Sequence, residues 1–481
     1  MAATESGQPH DAKRSNRGIS RWLVLVAAVV MLAGLLFGYD QGVISGALRG
    51  IESTFRVSTL VIEIVTSWVT LGALVGALGG GTMTDRFGRR RTVLAAAVLF
   101  VLGAAIESAA PSTWVLVVGR LVAGVGVGVA SVAAPLYAAE MAPARLRGRF
   151  VSLYQLMITF GIFVAYLVDQ LLSVASGSWW RLMLGLSVVP GLLLLVAMLP
   201  LPDSPVWYLK TGQRGKAQSA LRRVQPDADH QRDIASIEAS LQGPQPSWGE
   251  VFARRWRAPL VLGLGLAVLQ QFTGINGVIY YADTIFEAAG FDTPRSQTAA
   301  TTWSIGAVNV LFTFVAVGYV DRFGRRPLLL AGLVGMGVSL LVISVCFLRL
   351  EHVAVHGASP GNAPSAAGVV TLVAMMVFIA SFAFSLGPVV WTVINEIYPS
   401  TIRGLGVSAA TAANWAAAWL VTQFFLSLTD WIGESGTFAV FAGMCVVSFG
   451  FVWKLLPETK GRTLGEIQQM WVDRAGSGRP S

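Results

Sequence analysis

The hexapeptide DRFGRR occurs twice, at residues 85–90 and 321–326, each time just behind one long apolar run and just ahead of another. A chain that repeats one polar junction between apolar runs reads as a doubled membrane unit. A second pair of motifs supports the duplication: Glu140-x-x-Pro143-x-x-x-Arg147-Gly148 returns as Glu396-x-x-Pro399-x-x-x-Arg403-Gly404, again behind an apolar run.

Hydrophobic residues make up 54% of the 481 and charged ones 13%, a balance that a water-soluble domain does not hide. A spanning helix needs about 20 apolar residues. Twelve runs meet that need, at 22–47, 60–83, 92–110, 114–138, 150–172, 180–201, 258–289, 299–319, 327–348, 368–394, 404–428 and 435–456. A bilayer offers backbone groups no water, so such runs are helices, being too long for barrel strands. The expected fold class is all-α: twelve transmembrane helices in two pseudo-symmetric six-helix bundles. The chain divides into a tail (1–21), a first bundle (22–201), a linker with short helices such as 215–224 (202–257), a second bundle (258–456) and a tail (457–481). Residues 352–367 read as an external loop rich in Gly, Pro, Ser and Ala.

Of the 35 Lys and Arg, 29 fall in the two tails, the central linker and the even-numbered connections, five in odd-numbered connections, and Arg120 inside a run. This asymmetry places both termini and the linker in the cytoplasm. The net charge of +9 therefore reads as orientation and gives no reason to expect a nucleic-acid partner. The polar, basic first 20 or so residues lack the apolar core and cleavage site of a secretory signal.

Cys346 and Cys445 lie in separate apolar runs without paired spacing and read as buried thiols. His10, His230, His352 and His356 all fall outside the runs, so the usual proton relay residue is absent from the membrane. Gly124-x-Gly126-x-Gly128 has part of a nucleotide-binding spacing, but no strand precedes it. With Gly72-x-x-x-Gly76-x-x-x-Gly80 it reads as close helix packing. Neither a P-loop nor an HExxH motif occurs, so the chain reads as no enzyme and calls for no metal or cofactor.

Asp40 sits behind the apolar stretch 32–39, where a lone charge costs about 2.5–3.5 kcal/mol on insertion scales. Arg120 is the one basic residue away from the ends of the runs, so the two are expected to meet. Burial raises the proton affinity of a carboxyl and a nearby Arg lowers it, which makes such a pair a candidate proton switch. A static ion pair is the alternative reading.

In the second half the polar groups inside the runs are amides and aromatics: Gln270, Gln271, Asn276, Tyr280, Asn309, Trp391, Asn414 and Trp415. Uncharged donors and acceptors beside flat rings suit a sugar, whose hydroxyls need paired partners and whose C–H face packs on indole. Any one amide alone is ordinary interhelical glue; eight such residues in four helices point to a ligand site. Gly274 and Gly277 are expected to interrupt the seventh helix, as at transporter binding sites. Gln155 is the matching donor in the first half.

Most of these residues stand in FGYDQGVISGAL, GTMTDRFGRR, GR at Gly119–Arg120, YAAEMAPARLRGR, QQFTGINGVIYY, VNVLFTFVAVGYVDRFGRR, GPVVW, NEIYPSTIRG, ANW and PETKGR. In that order the motifs resemble the sugar porter family of the major facilitator superfamily over nearly the whole chain, with the nearest likeness to bacterial galactose–proton and xylose–proton symporters. The resemblance implies the major facilitator fold and proton-coupled import of a monosaccharide, a hexose, by alternating access in a multi-pass cell-membrane protein that works as a monomer. It puts proton coupling on Asp40 and Arg120, and sugar binding on Gln155, Gln270, Gln271, Asn276, Tyr280, Asn309, Trp391, Asn414 and Trp415. It puts a cytoplasmic gate, latching the halves when the cavity faces outward, on Asp85, Arg86, Arg89, Glu140, Arg147, Asp321, Arg322, Arg325, Glu396 and Arg403. Two departures stand out. Val206 replaces an Arg of the family motif, which puts one latch in doubt, and Ile162 replaces the second Gln of the xylose type, which argues for a hexose. Asp169 reads as either a match to the galactose type or a solvated rim residue. A sugar or inositol uniporter, and a sensor that binds without flux, stay open as alternatives, and so does the identity of the sugar.

Overall fold

The computed structural model describes residues 20–143, 146–173, 179–226, 229–241, 248–355, 365–399, 402–460, 466 and 469–471, without the side chains of Trp248, Val320, Asp321 and residues 351–355. Among the described residues all regular structure is helical. Span 1 is Arg21–Phe55, span 2 Thr59–Phe87, span 3 Arg89–Ala109, span 4 Thr113–Met141 and span 5 Arg147–Leu172, and span 6 comes in two pieces, Trp179–Gly185 and Val188–Met198. Short helices at Pro205–Lys210, Arg214–Val224, His230–Leu241 and Trp248–Val251 follow. Span 7 is broken into Arg257–Phe272, Ile275–Tyr280 and Ala282–Ala288; span 8 runs Pro294–Ala300 and Val308–Phe323 through a π turn at Thr301–Ala307. Span 9 is Arg325–Val355, span 10 is split into Ala366–Phe384 and Leu386–Ile397, span 11 is Arg403–Gln423, and span 12 is Phe425–Leu455 with a kink at Gly433.

Eleven segments are long and apolar enough to cross a bilayer. The twelfth, Arg403–Gln423, is Ala-rich and packs against spans 2 and 7. Span 1 outruns its apolar run because Ser20 caps its start, accepting from the Leu23 N–H, and it stops only where Arg56 turns left-handed at φ 48°. Spans 2 and 4 pack backbone to backbone: a Cβ on Gly72 would lie 2.3 Å from the Leu121 carbonyl oxygen, and one on Gly124 would lie 2.1 Å from that of Val69. The glycine spacings thus serve close helix contact.

The duplication is visible atom by atom. In each DRFGRR the glycine breaks the helix at positive φ (Gly88 92°, Gly324 87°) and a carboxylate closes over the start of the next span. Asp203 Oδ1 accepts from the N–H groups of Arg89 (2.9 Å) and Arg90 (3.3 Å). Glu458 accepts from those of Arg325 and Arg326, both at 3.1 Å. The second Arg of each motif repeats its own bond, Arg90 Nη2 to the Leu199 carbonyl and Arg326 Nη2 to that of Trp453. Each acid thus satisfies orphan donors at a helix start, where the dipole favours negative charge. Burial alone would push the Glu458 carboxyl up, but the N–H donors of Lys460, Arg325, Arg326 and Thr459 hold it below the usual range.

Backbone near φ 90° and ψ 160° belongs to glycine, at about 1–3 kcal/mol for another residue. A Cβ would lie 2.2 Å from Asp203 Oδ2 at Gly88 and 3.0 Å from Glu458 Oε2 at Gly324. Both Gly→Ala variants should melt earlier in detergent, with Gly88→Ala the worse. A Gly88→Ala protein as stable as Gly324→Ala would contradict the carboxylate packing.

Candidate functional site

Span 4 carries Arg120 opposite the middle of span 1, where Nη1 meets Asp40 Oδ1 at 3.0 Å and Nε donates to the Val65 carbonyl of span 2 at 3.2 Å. Arg120 is fully buried and Asp40 is 4% exposed. Their charges compensate each other in a setting where neither could stand alone. A third ionisable group, Glu107 at the end of span 3, brings Oε2 to 3.9 Å from the same Nη1.

Four of the expected amides form one network. Gln270 donates to the Leu386 carbonyl (2.7 Å) and accepts from Asn414 (2.9 Å). Gln271 donates to Asn414 Oδ1 (3.3 Å) and accepts from Asn276 Nδ2 (2.8 Å). The breaks in the spans make this possible. Gly274, left-handed at φ 87°, ends the first piece of span 7 and restarts the helix with Asn276 facing Gln271. Ser385, at φ −125° and ψ −87°, divides span 10 and frees the Leu386 carbonyl region for Gln270. Gly277, expected at a break, lies instead within Ile275–Tyr280, where a Cβ would meet the Phe425 ring at 2.6 Å; the next break falls at Tyr281.

The two groups touch through the residue after Asp40. Gln41 Nε2 donates to Asn276 Oδ1 at 3.4 Å, and Tyr280 on the same helical turn of span 7 is buried beside it. Trp415 packs its ring 5.3 Å from that of Phe37 on span 1. Asn309 is buried with no partner for Oδ1. Gln155 and Trp391 are half-buried and their side chains are not bonded into the network.

At the end where the DRFGRR motifs lie, the expected gate residues pair within their own half. Arg89 faces Glu140 (Nη2 to Oε1 2.9 Å) and Asp85 (3.4 Å), and Lys210 also reaches Asp85 (3.2 Å). Arg325 faces Glu396 at 2.9 Å. Arg147 and Arg403 donate to the carbonyls of Ala142 and Tyr398, while Arg86 and Arg322 lie over the rings of Phe87 and Tyr319. The Asp321 side chain lies outside the described residues. Val206 leaves the Asp203 contacts intact.

Apart from the central Gln41–Asn276 bond, the cross-half hydrogen bonds among the described residues lie toward the opposite end. Glu63 accepts from the Ser427 N–H and hydroxyl, both at 2.6 Å, Ser67 donates to Gln423 (2.7 Å), and Tyr166 donates to the Ile279 carbonyl (2.7 Å). The Asp283 N–H donates to Ser45 (3.0 Å), and Arg49 pairs with Glu287 (2.8 Å). Asp169 is no rim residue: it is 2% exposed and accepts from the Gly46 N–H at 3.3 Å. Sequence reasoning missed Gln41, Glu63 and Glu107. Gln41 could have been found from its place beside the buried acid; Glu63 and Glu107 sit in the outermost turns, where an acid normally meets water.

The profile of the family described as "Sugar (and other) transporter" matches residues 26–471. The chain belongs to this sugar transporter family. It is 38% identical over 462 residues to the galactose-proton symporter of Escherichia coli K12, covering 95% of this chain and 96% of that one. To the arabinose-proton symporter of the same strain it is 37% identical over 458 residues, 95% of each chain. Among solved structures it is similar to the inward-open xylose transporter XylE of E. coli, with TM-score 0.79, 30% identity and coverage of 94% of this chain and 100% of that one. The xylose symporter bound to 6-bromo-6-deoxy-D-glucose gives TM-score 0.77 at 31% identity, covering 94% and 99%. As a sugar transporter the chain joins a multi-pass membrane family whose members are not enzymes.

Breaking a buried ion pair by removing one partner costs about 3–5 kcal/mol. Arg120→Ala should therefore lower the melting temperature in detergent far more than Lys210→Ala, whose ion pair is half-exposed. Equal melting of the two variants would show that the pair carries little stability.

Proposed function

We propose that this sugar transporter is a proton-coupled symporter that imports a hexose by alternating access. The observation that carries the reading is the bond between Gln41, next in sequence to Asp40, and Asn276 of the amide network. Proton site and ligand site thus share one contact, so occupancy of either is felt by the other.

With the cavity facing out, Asp40 takes a proton from the external water and its hold on Arg120 loosens. The sugar hydroxyls then exchange hydrogen bonds with Gln155, Gln270, Gln271, Asn276, Tyr280 and Asn414, and the free Asn309 carbonyl accepts another. Trp391 and Trp415 supply flat faces for the C–H side of the ring. Ile162 leaves no amide at the place where the xylose type has one, which favours the hexose. The segment Ile275–Tyr280 closes on span 1 and the halves rock. Asp40 then releases its proton to the water on the other side and pairs again with Arg120. One charge crossing 100 mV is worth about 2.3 kcal/mol, enough for roughly fifty-fold accumulation.

The basic end, with both termini, faces the cytoplasm of a cell whose plasma membrane holds the protein. Apart from the central Gln41–Asn276 bond, the cross-half bonds then lie at the external end, and the conformation is the inward-facing one. When the cavity turns outward, Asp85, Arg86, Arg89, Glu140, Arg147 and their repeats Asp321, Arg322, Arg325, Glu396 and Arg403 leave their intra-half partners and latch the halves. One chain carries both halves, so a monomer suffices.

In proteoliposomes, Asp40→Asn should abolish uphill sugar uptake while exchange of labelled for unlabelled sugar continues; undiminished uphill uptake would remove Asp40 from the coupling. Gln271→Ala orphans Asn276 and Asn414 together, and an orphaned polar group costs about 1–3 kcal/mol, so sugar binding should weaken by about tenfold or more. Unchanged affinity would place the sugar elsewhere.

A further inference from the structure

Glu107 has no part in the mechanism above, yet its surroundings are built. It lies in the last turn of span 3 and is 2% exposed. Gly119, the residue before Arg120, makes room for it: a Cβ there would lie 2.7 Å from Glu107 Cγ and 2.9 Å from its backbone nitrogen. The carboxylate is therefore held beside Arg120 by the contact of spans 3 and 4.

Its bonding is incomplete in a telling way. Oε2 stands 3.9 Å from Arg120 Nη1, beyond hydrogen-bond range. Oε1 is buried without a partner, and Arg120 Nη2 is buried without one as well. The neighbouring carboxylate and guanidinium thus hold one unmet acceptor and one unmet donor between them, while Asp40 holds Nη1 at 3.0 Å. The gap to hydrogen-bond distance is about 1 Å.

We propose that Glu107 is a second partner of Arg120, a positioning residue that takes over the guanidinium when Asp40 is protonated. The inference rests on the symport reading and adds a charge count to it. Without Glu107, loading a proton on Asp40 leaves Arg120 as a lone buried cation. With an ionised Glu107, the loaded state is neutral and Arg120 keeps a counter-charge; the unloaded state carries the excess negative charge that draws the proton in. Other charged or titratable groups nearby do not replace it. Tyr280 of span 7 is buried near the pair and brings a hydroxyl, not a carboxylate. Arg181 of span 6 spends Nη1 on the carbonyls of Ser108 and Ala110. Tyr39 of span 1 donates away to the Met183 carbonyl, and span 2 offers Arg120 the carbonyl of Val65.

The test is the initial rate of sugar uptake against external pH in proteoliposomes holding wild type, Glu107→Gln or Glu107→Asp. Glu107→Gln should move the midpoint of the profile to the acid side by about one pH unit, a tenfold loss of proton affinity. Glu107→Asp, which keeps the charge but withdraws it, should fall between the two. A Glu107→Gln profile lowered at every pH with its midpoint unmoved would overturn the proposal, leaving Glu107 a packing residue. If Glu107→Gln yields no folded protein, Glu107→Asp decides alone, an acid-shifted midpoint supporting the proposal and a wild-type midpoint overturning it. Melting in detergent separates this inference from the symport reading, since it needs no transport. Asp40→Asn mimics the loaded state, and adding Glu107→Gln to it strips Arg120 of its last counter-charge. The double variant should melt well below the sum of the two single losses, and simple additivity would overturn the handover. Wild-type accumulation indifferent to pH would sink the symport reading by itself.

Discussion

A guanidinium with no exposure to solvent, at the heart of the first six spans, has to be paired, and the pairing of Arg120 with Asp40 sets the terms for everything around it. In a low-dielectric interior the attraction offsets a desolvation cost of several kcal/mol per ion only while the geometry holds. The packing of spans 2 and 4 through glycine faces brings Arg120 within reach of both span 1 and the Val65 carbonyl. A protonation event on Asp40 removes half of this arrangement at once. What the freed guanidinium does next then becomes a structural question with a mechanical answer.

The second half answers with softness where the first has charge. Span 7 is broken at Gly274 and again at Tyr281, span 8 contains a π turn, and span 10 is divided at Ser385. Helix pieces of six or seven residues have few internal hydrogen bonds to lose, so they can shift on the longer pieces they join. The amides Gln270, Gln271, Asn276 and Asn414 bond to one another here, and in the proposed mechanism each such bond is exchanged for one to a sugar hydroxyl at small net cost. The rigid ion pair and the adaptable amide cluster meet at Gln41.

Most of this architecture was legible in the sequence. The repeated DRFGRR fixed the doubling, and the geometry repeats it down to the Arg90 and Arg326 bonds to carbonyls three spans further along the chain. Asp40 and Arg120 were readable as partners because a bilayer allows an isolated charge no other solution. Asp203 and Glu458 as caps were not, since the residues they cap lie 114 and 133 positions distant. Glu63 and Glu107 escaped, and Asp169 was left between two readings, because acids near the end of an apolar run ordinarily reach water; only the packing of neighbouring spans shows that these do not. The break at Ser385 falls on a residue that is not glycine and the π turn holds Gly306 at ordinary negative φ, so neither is announced, whereas Gly277, which does look like a break, is a contact for Phe425.

The central claim is that sugar and proton move as one event, because the pair and the pocket share a contact. The direct measurement is external pH in lightly buffered, de-energised proteoliposomes when sugar is added outside. The medium should turn alkaline in step with sugar entry, and a protonophore should collapse the signal. Sugar entry at full rate with no change of pH would contradict the account.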